Sequence, residues 1–474
     1  MTWLRRPWLC LALLLAAAFA FRTLALIDAT ALWSDELYSV GKSFQPSVTE
    51  LWSMLRQDTH PPLYYTLLWG WGQLVGESPV SLRLLSWFAY LAGGGVMVAQ
   101  SLALAQGQWR VVPLSLLLAF CSPYPVRFAI EGKSYALLVL LVALAWWWRR
   151  AQRPWLYGMA AACAGLTHFY GLFVVLATAI WDALQRRRQW ALAAGIAALP
   201  AVAWITYASD YLFSARSGSW IGSPDFALLE ETLARGLGLW PLPKLALLML
   251  LIWGLRRWGG MDAFRWPDRA LLDRSGLIPA GLMVVGVVLV SFIKPLAFSR
   301  YFVVVLPAVV PVLALQFSCP HFSRAGRTVA CAAGVALLLS WWGPGFAELD
   351  PAAGGVREQD QFRLISQRTS GLEERYSPRA RLLNLSDRME VAMGRIPANP
   401  VPWGDGDDLE QRLATAPLPP DLWLASSGPR PALNRKLQPL VREVERNGFR
   451  CLDRSPDLSH GRLLQCQSAA TVPR

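Results

Sequence analysis

Charge is what this sequence has least of. Only 16% of its 474 residues are Asp, Glu, Lys or Arg, and the 32 acids are outnumbered by 45 Lys and Arg. Soluble domains carry about 25% charged residues, so the composition excludes an ordinary water-soluble protein. The net charge of +13 does not indicate nucleic acid. The arginines sit in short clusters between apolar runs, as they do in loops facing the cytoplasm. Internal repeats and low-complexity tracts are also missing, which weighs against a carrier built from duplicated halves. The seven cysteines are scattered. Cys10, Cys121, Cys163 and Cys331 lie in apolar runs and Cys319 in a short basic loop. Only Cys451 and Cys466, at the two ends of an apparent β-hairpin, are placed where a disulfide could form.

What the sequence has in abundance is apolar helix. About 20 apolar residues span a bilayer core, and the Lys/Arg bias orients the spans. Met1–Thr2–Trp3–Leu4–Arg5–Arg6 and the Ala/Leu run behind it mimic a signal peptide. The run continues to Ile27, so an uncleaved anchor is expected. Spans are predicted at about 8–27, 80–105, 111–126, 133–148, 154–170, 171–184, 190–208, 237–255, 275–293, 297–317 and 328–343. Inside loops then collect 16 arginines, with the amino end in the cytoplasm and the tail outside. The expected fold is an all-α polytopic membrane protein of about 11 transmembrane helices, residues 1–344. A small extracytoplasmic α/β domain at 345–474 follows. There Asp421–Gly428 reads as a strand and turn, and Leu437–Gly448 as an amphipathic helix closed by glycine.

The polar residues that need a reason fall on the predicted outer side. The first external loop, 28–79, holds Trp33–Ser34–Asp35–Glu36–Leu37–Tyr38–Ser39 and then Asp58–Thr59–His60–Pro61–Pro62–Leu63–Tyr64–Tyr65. Pro61–Pro62 fixes the backbone and removes two donors, a corner that would aim Asp58 and His60 back toward Asp35. The helix after it reads as interfacial, with its Tyr and Trp at headgroup depth. Arg127, Glu131 and Lys133 fill the turn between the third and fourth spans. His168 ends the fifth, and Arg300–Tyr301 start the tenth. Ionisable groups near membrane depth usually face a cavity. Carboxylates can act as general bases, and arginines can neutralise phosphate. Structural readings compete at several positions. Arg127 and Glu131 could pair across a turn, His168 could be packing, and Asp35 could be a helix N-cap. Arg300, Arg83 and Lys294 could be snorkelling anchors, and Glu50 and Glu77 solvated loop charges. Asn384–Leu385–Ser386 reads as a chance sequon, and Asp405–Gly406–Asp407–Asp408 as a turn that lacks the rest of a calcium loop.

These motifs, in this order, resemble the GT-C superfamily of membrane glycosyltransferases. The nearest likeness is to bacterial relatives of protein O-mannosyltransferases and of the lipid A aminoarabinose transferase. The likeness runs through Ser81–Ser86, Tyr124–Leu138, Thr167–Gly171 and Ser299–Phe302, covering about residues 1–320. It implies a sugar taken from a polyprenyl-phosphate donor at the outer face of a bacterial inner membrane and passed, with inversion, to an extracytoplasmic acceptor. Asp35 would be the base, with Glu36 beside it. Asp58, His60, Glu131, Lys133, His168 and Tyr301 would line the pocket, and Arg127 and Arg300 would hold the lipid phosphate. Where aminoarabinose transferases have Glu-Lys before Pro-Pro, this chain has Thr59–His60, closer to the mannosyltransferase form. Asp35, Asp58 and His60 permit a divalent metal, but no ligand spacing demands one. A carrier or flippase without chemistry is the rival reading.

Overall fold

A computed structural model describes residues 7–214, 221–237, 253–254, 267–318, 324–346, 360–415, 421–427, 430–455 and 461–468. The helices are α1 (Pro7–Ala25), α2 (Ser34–Ser43), α3 (Val48–Leu55), α4 (Leu63–Val75), α5 (Pro79–Leu104), α6 (Val112–Cys121), α7 (Pro123–Ala129), α8 (Tyr135–Arg150), α9 (Pro154–Thr167), α10 (Phe169–Leu184), α11 (Arg188–Tyr207), α12 (Ser209–Leu212) and α13 (Phe226–Leu237). After them come α14 (Arg269–Arg274), α15 (Leu277–Ser291), α16 (Leu306–Ser318), α17 (Arg324–Trp342), α18 (Asp360–Thr369), α19 (Ala380–Ala392), α20 (Gly406–Thr415) and α21 (Arg430–Arg446). Among the described residues there are four strands, β1 (Arg375–Tyr376), β2 (Asp421–Ser427), β3 (Phe449–Asp453) and β4 (Gly461–Ser468). Two compact units divide the chain: residues 1–25, 45–69 and 83–346 form the first, and 26–44, 70–82 and 347–474 the second.

The first unit is helical. Among the described residues, four helical runs are long and apolar enough to cross a bilayer: α1, α5, α11 and Ser299–Ser318. A fifth is the pair Trp109–Cys121 and Pro123–Ala129, bent by 48°. The expected third span is thus broken at Ser122–Pro123, where proline withdraws a helical hydrogen bond. Helices α8, α9, α10 and α15 coincide with expected spans but have only 14 to 16 residues. By length and composition alone, four runs among the described residues, or five with the bent pair, can cross a bilayer. Most of the expected span at 237–255 lies outside the described residues.

Small side chains set the close approach of α9 and α11. Ala160, Ala161 and Ala164 face Ala194, Ala197, Ala198 and Ala201 in one buried cluster, the small-on-small contact that favours helix association in lipid. A second cluster ties α8 and α10 to α15 and the 299–305 turn through Leu138, Trp146, Tyr170, Met283 and Phe302. At the C-terminal ends of α8 and α10 a charged knot locks the same helices. Arg149 donates to Asp182 at 2.5 and 3.3 Å, and Arg187 to Asp273 at 2.5 and 2.9 Å. Arg187 also reaches Asp182 at 3.3 Å, and the Trp181 indole reaches Asp273 at 2.7 Å. Asp182 is fully buried. Two arginines and two aspartates cancel, which is the condition for keeping charge out of water.

Several sequence readings are corrected here. Tyr64 and Tyr65 do not face headgroups or solvent; both are fully buried in protein. Arg83 is buried rather than snorkelling. Lys294 donates to the Leu212 carbonyl at 2.9 Å. Glu77 is not a solvated loop charge but an ion-pair partner of Arg388 at 2.7 Å.

The second unit is a four-stranded sheet of order β1-β2-β4-β3 with helices packed on it. β1 lies parallel to β2, and β4 is antiparallel to both β2 and β3. Cys451 and Cys466 face each other across β3 and β4 and are disulfide-bonded. The expected strand at Asp421 and the helix closed by Gly448, at φ +82°, are both present. Buried Arg375 organises the unit. It donates to the Thr369 carbonyl and hydroxyl at 3.1 Å, to Asp387 at 2.8 Å and to the Val401 carbonyl, while stacking on Trp403. The Asn384 amide is fully used by the Trp403 backbone, at 3.0 and 2.8 Å, so its sequon is occupied by structure. Asp405 caps α20 by accepting from the Asp407 and Asp408 amides. Two early segments belong to this unit. Asp28 pairs with Arg395 at 2.8 Å. Gly41 lies so close to α19 that an added Cβ would come within 2.9 Å of Leu385.

Candidate functional site

The Thr167–Gly171 motif makes a sharp junction between α9 and α10. His168 leaves the helical range, at φ −159° and ψ 142°, and its Nδ1 accepts the Tyr170 amide at 3.2 Å, capping α10. Gly171 is required: a Cβ there would sit 2.3 Å from the Ala164 carbonyl oxygen. His168 is buried, with His60, Lys133 and Arg300 within electrostatic reach. With Nδ1 accepting, its proton resides on Nε2.

Aromatic rings and charges gather around this imidazole. The Tyr301, Tyr135 and His60 rings lie 4.9, 5.8 and 5.9 Å away. Pro61 and Pro62 stop the chain from running straight from α3 into α4, and in that corner His60 Nδ1 meets Asp58 Oδ1 at 2.7 Å. The carboxylate orients the ring. Thr59 adds a contact at 3.2 Å. Arg300 and Tyr301 lie on the turn Ser299–Val305. Arg300 stacks over Phe298 at 4.9 Å and lies 6.0 Å from the Tyr135 ring centre. The Tyr124 hydroxyl anchors that turn by donating to the Ser299 carbonyl at 2.6 Å. Lys133 is buried, and its carbonyl accepts from Ser86 at 3.2 Å. Arg127 and Glu131 do pair, loosely, at 3.7 Å.

The first unit thus brings together Asp58, His60, Arg127, Glu131, Lys133, His168, Arg300 and Tyr301. Sequence reasoning missed two further members. Glu231 and Arg235 on α13 pair at 2.8 Å, and Arg235 and Arg300 both lie within electrostatic reach of Arg127. Burial pushes the Glu231 carboxyl up, but Arg235, the neighbouring Ser299 hydroxyl and Arg127 outweigh it and hold it below its usual range. The pair stood in a stretch read as loop. Only the helical spacing of Glu231 and Arg235 could have drawn attention to it.

Asp35 and Glu36 belong to the second unit, in the first turn of α2, where acids suit the helix dipole. Asp35 is not the N-cap; Trp33 is. Glu36 is buried and its carboxylate reaches back to the Trp33 amide at 3.4 Å. Among the described residues no group of three or more His, Cys, Asp and Glu is placed to hold a metal ion.

No family model and no curated protein matches this chain. Two crystal structures of ArnT from Cupriavidus metallidurans do. The apo form aligns with a TM-score of 0.61 at 14% identity, and the form bound to undecaprenyl phosphate with 0.58 at 15%. Each comparison covers 99% of both chains. The chain is similar to ArnT, a GT-C lipid A aminoarabinose transferase, over its whole length. At this identity the likeness is one of fold. It agrees with the resemblance drawn from the motifs.

Proposed function

We propose that this chain is a polytopic GT-C glycosyltransferase that moves one sugar from a polyprenyl-phosphate donor to an extracytoplasmic acceptor. The observation that carries the reading is the gathering of Arg127, Lys133, Arg300 and the Asp58–His60 pair around His168, on a fold like that of ArnT. The ArnT structure with undecaprenyl phosphate bound supports a lipid phosphate as the leaving group. Arg127 and Arg300 neutralise the charge that grows on the departing phosphate, through bidentate donors that lysine cannot match. Lys133 adds a point charge, and His168 Nε2–H a further donor. Glu131 holds Arg127, while Tyr301 packs on His168 and shields the site from water.

Asp35 takes the proton from the acceptor hydroxyl. That oxygen attacks the anomeric carbon as the carbon–oxygen bond to phosphate breaks, and its electron pair leaves with the phosphate. One in-line displacement inverts the centre. The base assignment rests on the Asp35–Glu36 motif following the first apolar helix. The proposed topology keeps the eleven spans, amino end in the cytoplasm and tail outside, in a bacterial inner membrane.

The test is turnover of labelled polyprenyl-phosphate sugars by the purified protein in lipid, beside Asp35→Asn. Donor consumption lost in Asp35→Asn supports the reading and names the sugar. Consumption that survives the substitution removes Asp35 as base. A folded sample that consumes no donor, with cell-envelope extract supplied as acceptor and with or without divalent metal, overturns the transferase.

A further inference from the structure

The tail sheet carries two neighbouring parallel strands at one edge. β1 and β2 run parallel, with Arg375 opposite Trp423 and Tyr376 opposite Leu424. Alternation along β2 puts Leu422, Leu424 and Ser426 on one face, where Leu437, Leu440 and Val444 of α21 pack. Ala425 and its partner Leu463 are buried on the other face, and α18, on which α19 packs, meets β2 and β4. The chain leaving β1 therefore enters a helix on one side of the sheet, and the chain leaving β2 enters a helix on the other. Neighbouring parallel strands whose helices diverge in this way leave an opening at their carboxyl ends, the usual ligand position in open α/β sheets.

The side chains at that opening have one character. The Ser426 hydroxyl is fully buried and has no hydrogen-bond partner among the described residues, and strand alternation aims it toward the side on which α21 begins. Ser427 beside it is buried, and Arg379 extends Nη1 to its hydroxyl at 3.4 Å. Arg379 is also the residue before α19, its amide held by the Ser377 hydroxyl at 3.0 Å. Lys436 of α21 is close enough to Arg379 to repel it. Among the described residues no carboxylate forms an ion pair with either cation. Two uncompensated cations, two helix amino ends and a buried hydroxyl lacking a partner all call for the same thing, an anion with several acceptor oxygens.

We infer that the crevice at the carboxyl ends of β1 and β2 binds a phosphate-class anion, with Arg379, Ser426, Ser427 and Lys436 as its contacts. The site is separate from the transfer reaction proposed above and does not rest on it.

Binding of radiolabelled orthophosphate to the full chain in zwitterionic nanodiscs tests this. All samples carry Arg300→Gln to weaken phosphate binding by the helical unit. Saturable binding should remain in that background. Arg379→Gln should weaken it at least tenfold and Ser426→Ala severalfold, while Arg446→Gln at the far end of α21 should leave it unchanged. Arg379→Lys, which keeps the charge, should restore part of it if the variants are folded by circular dichroism. Displacement by polyprenyl phosphate placed in the disc would assign a lipid headgroup, and its failure to displace would assign a free anion. Absence of saturable binding by folded protein overturns the site, as does binding indifferent to both Arg379→Gln and Ser426→Ala.

Discussion

Helices α8 and α10 carry ionisable groups at both ends, and the two ends differ in kind. At their carboxyl ends Arg149, Arg187, Asp182 and Asp273 close on one another and sum to zero. At their amino ends Lys133 and His168 meet Arg127, Arg235 and Arg300, with Glu131, Glu231 and Asp58 interspersed. The ends are about 20 Å apart, at 1.5 Å per residue. One end closes its charges on one another and holds helices together. The other gathers its cations around a histidine and aromatic rings, which suits a ligand that brings its own negative charge. Burial alone does not distinguish them; the surroundings of the charges do.

The comparison can be broken at either end. Asp182→Asn should cost about 3–5 kcal/mol, since it leaves Arg149 buried beside half a partner. Thermal unfolding in detergent would read the loss. A cost below 1 kcal/mol would make the knot incidental. Arg300→Gln should do the reverse, lowering donor turnover by about 10²–10³, the usual effect of removing one charge-stabilising donor, with little change in melting. Equal damage to melting and turnover would mean that Arg300 is structural. Gly171→Ala should cost about 1–3 kcal/mol by overpacking, and it should also lower turnover because it displaces His168.

Much of this was legible in the sequence. Amphipathic spacing ending at glycine located α21, and the paired cysteines located the β3–β4 hairpin, because both signals are local. The motifs marked His168, His60 and Arg300 because polar residues beside apolar runs stand out. Hydropathy marks where apolar helices lie but not how long they are, and α8, α9 and α10 are helices of 14 to 16 residues within the expected spans. Tyr64 and Tyr65 were misplaced for a related reason: an aromatic that suits headgroup depth suits a protein core equally. Glu231 and Arg235 were invisible since their partners come from residues about a hundred positions earlier in the chain and from the Ser299 turn. Asp182 carries no local signal in the sequence, and only its tertiary partners make it a keystone.

The pairing of Asp28 with Arg395 has a temporal meaning. The ribosome makes these residues 367 positions apart. At about 5–20 residues per second, the early segments of the second unit wait roughly 20–70 s for α19, which covers them. During that interval Gly41 and its neighbours have no mate, and whatever shelters them meanwhile must let go on schedule. A fragment beginning at residue 347 would meet the converse problem, lacking the pieces synthesised first. Expression of the tail alone should therefore yield an aggregation-prone product unless residues 26–44 and 70–82 are supplied with it.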